Sequence, residues 1–403
     1  MSLQCFRPVQ GNSRIAIMVP LQFVSETSDQ VNEMNIREIA ERARVSVATV
    51  SRVVNHVPTV NRKLAKRVRK VVAELGYSAN SQARGLASGK SRTLGLVVSC
   101  IADPFFTEII QSFENAAVRR GYEVLVASTF HDFNGIELCV RRMVERRIEG
   151  AAILTFGWWG ELIAENLRAQ GIVAVSVNGG PRGSKASAVW IDYGRGIRQA
   201  LEHLAALGHE RIAHIIGPLH STSALTKRSE FERYISEIGI GVSLKLIVTG
   251  DDTVEGGMSA FAQLAQLRDQ PTAIFCSNDM TAVGVIRQAH ELGVAVPQEL
   301  SVIGCDDISF ARAITPPLTT VRVPQAELAR LAFRALLGEL DRTKGKEPRE
   351  YVLETDFVLR RSTALVSSNN PRPTDLRFLE VEPCRESRRV ERACRERMTV
   401  AGP

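Results

Sequence analysis

Residues 44–55 read RVSVATVSRVVN and place small and β-branched side chains beside two arginines. Because β-branched residues are mediocre helix formers, this stretch has two interpretations. It is either an ordinary strand or a short helix whose exposed face is small enough to enter a narrow groove. The sequence on either side of it decides between them.

The residues before this stretch favour the helix. Apolar side chains recur at i, i+3, i+4 and i+7 between Ile36 and Ala43, which predicts a short first helix with one apolar face. Arg44 and Val45 then form a tight turn, and Ser46 is a good N-cap for a second helix. The outward face of that second helix is predicted to carry Val47, Ala48, Ser51 and Arg52. The pattern is that of a helix-turn-helix, whose second helix must be narrow to fit the DNA major groove.

A third, basic helix is predicted over residues 61–75, NRKLAKRVRKVVAEL, with Asn61 as its N-cap. Its apolar residues pack inward, while lysines and arginines occupy the solvent-facing side. Such charges are often only solvated, but beside a helix-turn-helix some of them are expected to contact phosphates. Phosphate contacts add affinity without reading the base sequence.

The distribution of charge also indicates a nucleic-acid partner. Residues 34–92 contain 13 Lys and Arg against 3 Asp and Glu, whereas residues 93–365 contain 28 against 32. A basic head on a mildly acidic body is the electrostatic footprint of a nucleic-acid-binding protein.

Several motifs, in this order, resemble those of the LacI/GalR family of transcriptional regulators. The resemblance begins with VSVATVSRVVN (45–55) and continues through ELGYSAN (74–80) and NSQARGLASGKSRTLGLV (80–97). Along the body it includes IADPFF (101–106), LGHERIAHIIGP (207–218), IFCSNDMTAVGV (274–285), VPQELSVIGCDDI (296–308) and PPLTTVRVP (316–324). It covers about residues 34–365 and implies a homodimer that binds a palindromic operator in double-stranded DNA.

The resemblance further implies roles for single residues of the head. A hinge helix near residues 80–88 is expected to fold on DNA and to insert Leu86 into the minor groove. Arg52 is expected to read a base by hydrogen bonding, while Val47 and Ala48 offer only apolar contacts or are surface filler. The expected DNA-binding residues are Val47, Ala48, Thr49, Ser51, Arg52, Asn55, Asn61, Asn80, Ala83 and Leu86.

The head and hinge depart from the family pattern at Arg44, Leu64, Ala65, Ala79 and Gly85, and two of these positions bear on backbone conformation. Arg44 stands where the family usually has a glycine, which costs about 1 kcal/mol if the φ angle there is positive. Gly85 lies inside the expected hinge helix and lowers its helix propensity by about 1 kcal/mol. The hinge helix is therefore expected to be less stable in the absence of DNA.

The body reads as an α/β structure. After residue 92, continuous apolar runs alternate with amphipathic helical stretches, which indicates buried parallel strands. The runs lie at residues 93–99, 123–128, 150–156, 173–178, 211–217, 244–250, 273–278 and 301–307. The family resemblance implies a periplasmic-binding-protein-like core of type I, with two doubly wound parallel-sheet subdomains and a ligand between them.

The expected domain organisation follows. An N-terminal extension (1–33) precedes the helix-turn-helix head (34–79), and a hinge helix and linker (80–92) lead into the core (93–365). The core subdomains are expected at about 93–190 plus 322–349, and at about 191–321 plus 350–365. Both the extension and the tail (366–403) are expected to be disordered.

Polar residues that follow the body strands are candidates for binding a small-molecule effector. The resemblance points to Phe105, Trp158, Lys227, Arg228, Asp252, Asn278 and Asp306. Lys227 replaces the arginine usual at its position, and Asp252 replaces a stacking aromatic residue found in sugar-binding and purine-binding relatives. The site is therefore expected to be unusually polar, for a polyhydroxylated or cationic ligand such as a sugar or polyol. Phe105 could equally be a core residue, and Trp158 could be structural.

No catalytic constellation, metal-ligand spacing or cofactor fingerprint is present in the sequence. No apolar run reaches the length of roughly 18–20 residues that a membrane helix needs, and no cysteine pair indicates a disulfide framework. We therefore expect a cytoplasmic repressor of carbohydrate-metabolism genes, without catalytic activity, metal or cofactor. The alternative is a sugar-binding transport component or a carbohydrate-handling enzyme on the same core, which the fold alone would permit.

Overall fold

The computed structural model describes residues 36–54, 59–75, 77, 91–129, 133–155, 157–178, 187–241, 243–341 and 348–366. The chain forms two compact units, Met1–Gly89 and Lys90–Pro403. The expected extension, the hinge helix near 80–88 and the tail beyond Val366 lie outside the described residues. Val366 itself, expected in the tail, donates its main-chain N–H to the carbonyl of Leu207 at 2.9 Å and so belongs to the core.

The described residues of the first unit form three helices: α1 (36–42), α2 (Val47–Val54) and α3 (Arg62–Glu74). Their apolar faces form one small core that includes Ile39, Val50 and Val68, each fully buried. Both predicted N-caps are confirmed. The side chain of Ser46 accepts a hydrogen bond from the N–H of Thr49 at 3.2 Å, and that of Asn61 accepts one from the N–H of Lys63 at 2.9 Å.

The turn between α1 and α2 carries the departure foreseen at Arg44. Its φ angle is 49°, in the left-handed region that favours glycine. The carbonyl of Arg44 accepts a hydrogen bond of 3.1 Å from the Arg67 guanidinium on α3. The strained turn is therefore held in place by a side chain of the third helix.

The second unit, the core, consists of two six-stranded sheets with helices packed around them. The first sheet has the order β11-β5-β4-β3-β1-β2, and all its strands are parallel. Its strands are β1 (Thr93–Val98), β2 (Glu123–Ser128), β3 (Gly150–Leu154), β4 (Val173–Val177), β5 (Ala188–Asp192) and β11 (Glu350–Glu354). The central strands are apolar throughout because helices cover both faces.

The second sheet has the order β12-β10-β9-β8-β6-β7. Its strands are β6 (Ile212–Ile216), β7 (Ile247–Thr249), β8 (Ala273–Cys276), β9 (Ser301–Asp306), β10 (Thr319–Arg322) and β12 (Asp356–Val358). The edge strand β12 is antiparallel to β10, and the other pairs are parallel. The predicted strand at 244–250 was too long, because Leu244–Leu246 forms a 3-10 turn on the solvent-exposed edge before β7 begins.

The core helices follow the strands in chain order. They are α4 (Pro104–Val118), α5 (Phe133–Glu145), α6 (Trp158–Ala169), α7 (Gly194–Ala206), α8 (Thr222–Glu237), α9 (Val254–Ala265), α10 (Asp279–Glu291) and α11 (Gln325–Leu340). The first subdomain comprises the first sheet with α4, α5, α6 and α11. The second comprises the second sheet with α7, α8, α9 and α10. The predicted fold class, a helical head followed by two mainly parallel sheets, is confirmed.

The chain crosses between the subdomains at slightly different places than predicted. The expected third crossing near 350 was wrong, because Glu350–Glu354 pairs in parallel with β5 and therefore extends the first sheet. The crossing follows at Thr355, whose hydroxyl donates to the carbonyl of Asp192 at 2.9 Å. The three crossing segments pack closely together at Gly196. A Cβ atom added to Gly196 would lie only 2.4 Å from the side chain of Val321 and 2.7 Å from that of Thr355.

Candidate functional site

The outward face of α2 is small, as predicted. Val47 is 44% exposed, whereas Val50 and Val53 on the opposite face are buried in the head core. Ala48 and Arg52 are exposed as well. A helix with this face can approach base edges closely, and Arg52 is its one long hydrogen-bond donor.

Three further predicted DNA-binding residues have places in the head. Thr49 and Ser51 are half-buried, and the hydroxyl of Thr49 lies 2.9 Å from that of Ser46 in the cap of α2. Asn61 uses its side-chain carbonyl to cap α3, which leaves its amide group for other partners. Exposed basic side chains line α3, namely Arg62, Lys63, Lys66, Arg67, Arg69 and Lys70. The remaining predicted residues, Asn55, Asn80, Ala83 and Leu86, lie outside the described residues.

In the core, polar side chains gather where the carboxyl ends of the two sheets meet. We call this group the inter-sheet site and define it by Asp103, Lys227, Asp252, Asn278 and Asp306. Asp103 follows β1 and caps α4, while Asn278 follows β8 and caps α10. Lys227 projects from α8, Asp252 precedes α9 and Asp306 ends β9. The site therefore combines one residue of the first subdomain with four of the second.

Contacts between loops show that the two carboxyl-end edges lie close together. The hydroxyl of Thr222, at the start of α8, donates to the carbonyl of Asn178, after β4, at 3.4 Å. A Cβ added to Gly157, before α6, would lie 3.0 Å from the carbonyl oxygen of His220. His220 itself is exposed, as expected for a loop residue.

Lys227 is only 5% exposed and is drawn into the second subdomain. Its ammonium donates to the carbonyl of Ser277 at 2.5 Å and lies 5.2 Å from the ring centroid of Tyr193. Burial alone would lower the pKa of Lys227, but the acidic groups around it, Asp306 and Asp252 among them, raise it overall. The acidic surroundings therefore favour the charged form of this buried lysine.

Asp252 and Asn278 hold each other in position. Asp252 adopts a left-handed φ of 65°, and its carboxylate accepts a hydrogen bond of 2.6 Å from the Ser277 hydroxyl. Asn278 donates its amide to the carbonyl of Asp252 at 2.9 Å while its side-chain oxygen accepts from the N–H of Thr281 at 2.8 Å. Both Asn278 side-chain groups are thus engaged in the structure, which makes Asn278 a positioning residue for the Asp252 loop.

Asp306 ends β9 with a φ of 114° and is only partly exposed. Its main-chain carbonyl accepts a hydrogen bond of 2.6 Å from Gln325. Burial raises the pKa of its carboxyl well above the usual range; the Lys227 ammonium opposes this shift, and the Asp103 and Asp252 carboxylates add to it. The pKa of Asp103 is also raised, first by burial and further by Asp252. These mutual effects place the three carboxyl groups and Lys227 in one electrostatic cluster.

The structure separates two predicted effector residues, Phe105 and Arg228, from this cluster, and a third, Trp158, is not tested by the described atoms. Phe105 is 3% exposed and packs edge-to-face on Phe106 with ring centroids 5.2 Å apart, so it is a core residue. Arg228 forms an ion pair of 2.7 Å with Glu232 on its own helix and does not join Lys227. Trp158 begins α6, and its side chain lies outside the described atoms.

One residue of the inter-sheet site, Asp103, and two residues in contact with it, Tyr193 and Ser277, were not predicted. Asp103 could have been found, because it directly follows a strand and precedes the proline that begins α4. Tyr193 and Ser277 gave no such signal, because each acts through the buried Lys227, which is distant in sequence. Among the described residues, no group of three His, Cys, Asp or Glu side chains is placed to hold a metal ion. No helix in the described part of the chain is long and apolar enough to cross a membrane.

Comparison with known proteins relates both units to one group. Residues 35–80 match the model of bacterial regulatory proteins of the lacI family, and residues 201–363 match a periplasmic binding protein-like domain. The HTH-type transcriptional repressor PurR of Vibrio atlanticus is 31% identical over 325 residues, which cover 81% of this chain and 97% of the relative.

Solved structures agree with this relationship. The lac repressor dimer bound to operator and the anti-inducer ONPF has 28% identity and a TM-score of 0.72, and the match covers 81% of this chain and 98% of that one. The transcriptional regulator CelR in complex with cellobiose has 27% identity and a TM-score of 0.62, and the match covers 81% and 99%. Sequence, fold and domain order agree, and the chain belongs to the lacI family of DNA-binding bacterial regulatory proteins.

Proposed function

We propose that this protein is a repressor whose affinity for its operator is switched by a small polar effector bound at the inter-sheet site. The observation that carries this proposal is the combination, in one chain, of a small-faced recognition helix and a buried charged cluster between two subdomains. A sugar-binding transport component would need no DNA-binding head. A serine–histidine pair does occur among the described residues, Ser301 with His209 at 2.9 Å, but both side chains are buried and neither belongs to the inter-sheet site, so the pair does not support the enzyme alternative.

The head residues divide into two functional groups. Arg52 supplies hydrogen bonds to a base, most favourably guanine, while Val47 and Ala48 contact apolar groups such as a thymine methyl. The exposed basic residues of α3 supply phosphate contacts, which position α2 without reading sequence. Since regulators of this family act as dimers, two such heads would bind the two halves of a palindrome.

The inter-sheet site fits a ligand with several hydroxyl groups. The side-chain oxygens of Asp306 have no hydrogen-bond partner among the described residues, and a carboxyl group can hydrogen-bond to two adjacent hydroxyls. The Asp252 carboxylate has one acceptor position occupied by Ser277 and further acceptor capacity. The cellobiose complex of CelR supports a sugar as effector, although Asp252 gives this site a charge in place of a stacking surface.

Ligand binding between the subdomains would change their relative orientation. The crossing segments at Tyr193, Val323 and Thr355 are the natural hinge because they are the connections between the two sheets. A rigid-body movement about such a hinge is a common route from a ligand site to a distant effect. A coupling of about 1–3 kcal/mol would change operator affinity by roughly 5–150-fold. The regulator would act in the cytosol, where its DNA lies.

Selection of binding sites from random duplexes tests this proposal. The full-length protein would be incubated with the duplex pool at fixed salt, with and without a panel of aldoses, polyols, sugar acids and amino sugars. We expect enrichment of one palindrome and a change in its recovery with one member of the panel. Retention that depends on salt but enriches no sequence would refute the proposal.

A further inference from the structure

The first subdomain carries a group of exposed arginines whose side chains form no ion pair or hydrogen bond among the described residues. All arginines between residues 93 and 167 belong to this group, and all are exposed: Arg119, Arg120, Arg141, Arg142, Arg146 and Arg147. We call it the arginine edge. The turns that carry these arginines also carry Glu123, Glu145 and Glu149, so the arginines outnumber the acidic side chains there by six to three.

The guanidinium-bearing side chains of the arginine edge are exposed to solvent. None of its guanidinium groups has an ion-pair or hydrogen-bond partner among the described residues. In the second subdomain, Arg198 pairs with Glu202 at 2.8 Å and Arg287 pairs with Glu291 at 3.2 Å, whereas Arg268 and Arg361 have no such partner among the described residues. The arginine edge differs in that six exposed arginines without such a partner lie at one edge of one sheet.

The sheet topology places the six arginines at one edge of the first sheet, where its strands begin. Each helix of a parallel α/β unit runs back along the sheet, so its C-terminal end lies where the strands begin. Arg119 and Arg120 follow the end of α4, just before β2, and the other four lie at the end of α5, just before β3. Strands β2 and β3 flank β1 on either side.

This edge is also where the chain enters the core from the head. Arg92, the residue before β1, is fixed to both arginine-bearing turns: its carbonyl accepts from the N–H of Glu123 at 2.8 Å, and its N–H donates to the Glu149 carboxylate at 2.8 Å. Only 13 residues separate Tyr77 from Ser91. Even fully extended, that connection spans at most about 50 Å.

From this arrangement we infer that the arginine edge is a second DNA-contacting surface, which binds the phosphate backbone of the duplex held by the head. Guanidinium groups pair with phosphates in a bidentate manner. The inference rests on the proposed function, since it needs DNA bound at the head. The helix dipole favours a basic residue in the last turn of a helix. It does not explain the pairs Arg119–Arg120 and Arg146–Arg147, because these lie in the turns after α4 and α5.

The test compares three variants of the full-length protein. The quadruple variant Arg119→Gln, Arg120→Gln, Arg146→Gln and Arg147→Gln removes four charges per protomer. The matched control removes four exposed arginines of the second subdomain, Arg198, Arg233, Arg268 and Arg361, by the same substitution. A third variant replaces the four edge arginines by lysine and so keeps the charge. Thermal unfolding of each variant checks that the core remains folded.

The readout is the affinity for a 40-bp duplex that carries the selected palindrome, measured between 50 and 200 mM KCl. Removal of one arginine–phosphate interaction should reduce the slope of log K against log salt by about 0.9. We expect the glutamine variant to show a smaller slope and at least tenfold weaker binding at 50 mM, while the control and the lysine variant resemble the wild type. Equal slopes for the wild type and the glutamine variant would overturn the inference. Failure of wild type and control alike to prefer the palindrome over a scrambled duplex would instead refute the proposed function.

Discussion

The ammonium of Lys227 donates a hydrogen bond of 2.5 Å to the main-chain carbonyl of Ser277, at the carboxyl end of β8. The hydroxyl of Ser277 in turn donates to Asp252 at 2.6 Å. One residue thus joins the buried cation of α8 to an acidic loop of the inter-sheet site. Lys227 has a structural role in the second subdomain besides any contact it makes with a ligand.

Replacement of Lys227 by methionine should destabilise the core. The change leaves Asp306 and Asp252 without their buried counter-charge, and loss of one partner of a buried charged pair costs about 3–5 kcal/mol. Urea unfolding would measure the difference. Lys227→Arg is the control, because it keeps the charge and should lose much less. A methionine variant as stable as the wild type would show that Lys227 does not neutralise the site.

Arg44→Gly should stabilise the head by about 1 kcal/mol, because Arg44 has a φ of 49° that glycine adopts without strain. The hydrogen bond from Arg67 is retained, since its acceptor is the main-chain carbonyl. Amide exchange of Val50 and Val68 in the full-length protein would report the change. Arg69→Gly, within exposed α3, should do the opposite. Faster exchange in the Arg44 variant would contradict this account of the turn.

Arg52→Ala should erode the preference for the selected palindrome over variants with a single changed base pair. The expected loss of discrimination is about 1–3 kcal/mol at one position of each half-site, since Arg52 is the hydrogen-bonding reader of α2. Competition binding against a set of altered duplexes measures it. Arg69→Ala, a change on the basic face of α3, should weaken binding to all duplexes alike. Identical discrimination by the Arg52 variant and the wild type would exclude a reading role.

His214 should make the core sensitive to acid. Burial lowers the pKa of His214 to about 4, and the hydrogen bond to the Phe275 carbonyl only partly opposes this shift. An unfolded histidine titrates near pH 6.5. The stabilising contribution of the neutral ring is therefore complete above pH 6.5 and is lost as the pH falls toward 4.

The variant His214→Gln isolates this contribution. The difference in unfolding free energy between wild type and variant should fall by about 2–3 kcal/mol between pH 7 and pH 4.5. Urea unfolding at a series of pH values would measure it, and other titrating groups cancel in the comparison. A difference that is constant with pH would mean that the buried ring is not held neutral.

Features fixed by near neighbours in sequence could be predicted. The N-caps at Ser46 and Asn61 depend on residues two or three positions away, and the strained turn at Arg44 followed from the missing glycine. The alternation of apolar runs and helices predicted the α/β core because buried parallel strands are apolar on both faces. The helices of the head and the positions of the central strands along the chain needed no long-range information.

Features fixed by distant residues could not be predicted. Lys227 turns toward Ser277, 50 residues away in sequence, so its withdrawal into the second subdomain left no local signal. Phe105 had two equally open interpretations, and only its packing on Phe106 placed it in the core. The short strand β11 was missed because Glu350–Glu354 lies at the edge of the first sheet, where half of the residues face solvent and no continuous apolar run arises.

The most direct test of the central claim is the dissociation constant of the selected palindrome, measured with and without each member of the effector panel for the wild type and Asp306→Asn. Asn keeps the size of the side chain but removes the carboxylate that we place against the ligand. We predict that one ligand changes the wild-type constant by roughly 5–150-fold, that this change is lost in Asp306→Asn, and that both proteins bind the palindrome equally well without ligand. The same ligand response in both proteins, or no response to any ligand in the wild type, would contradict the account.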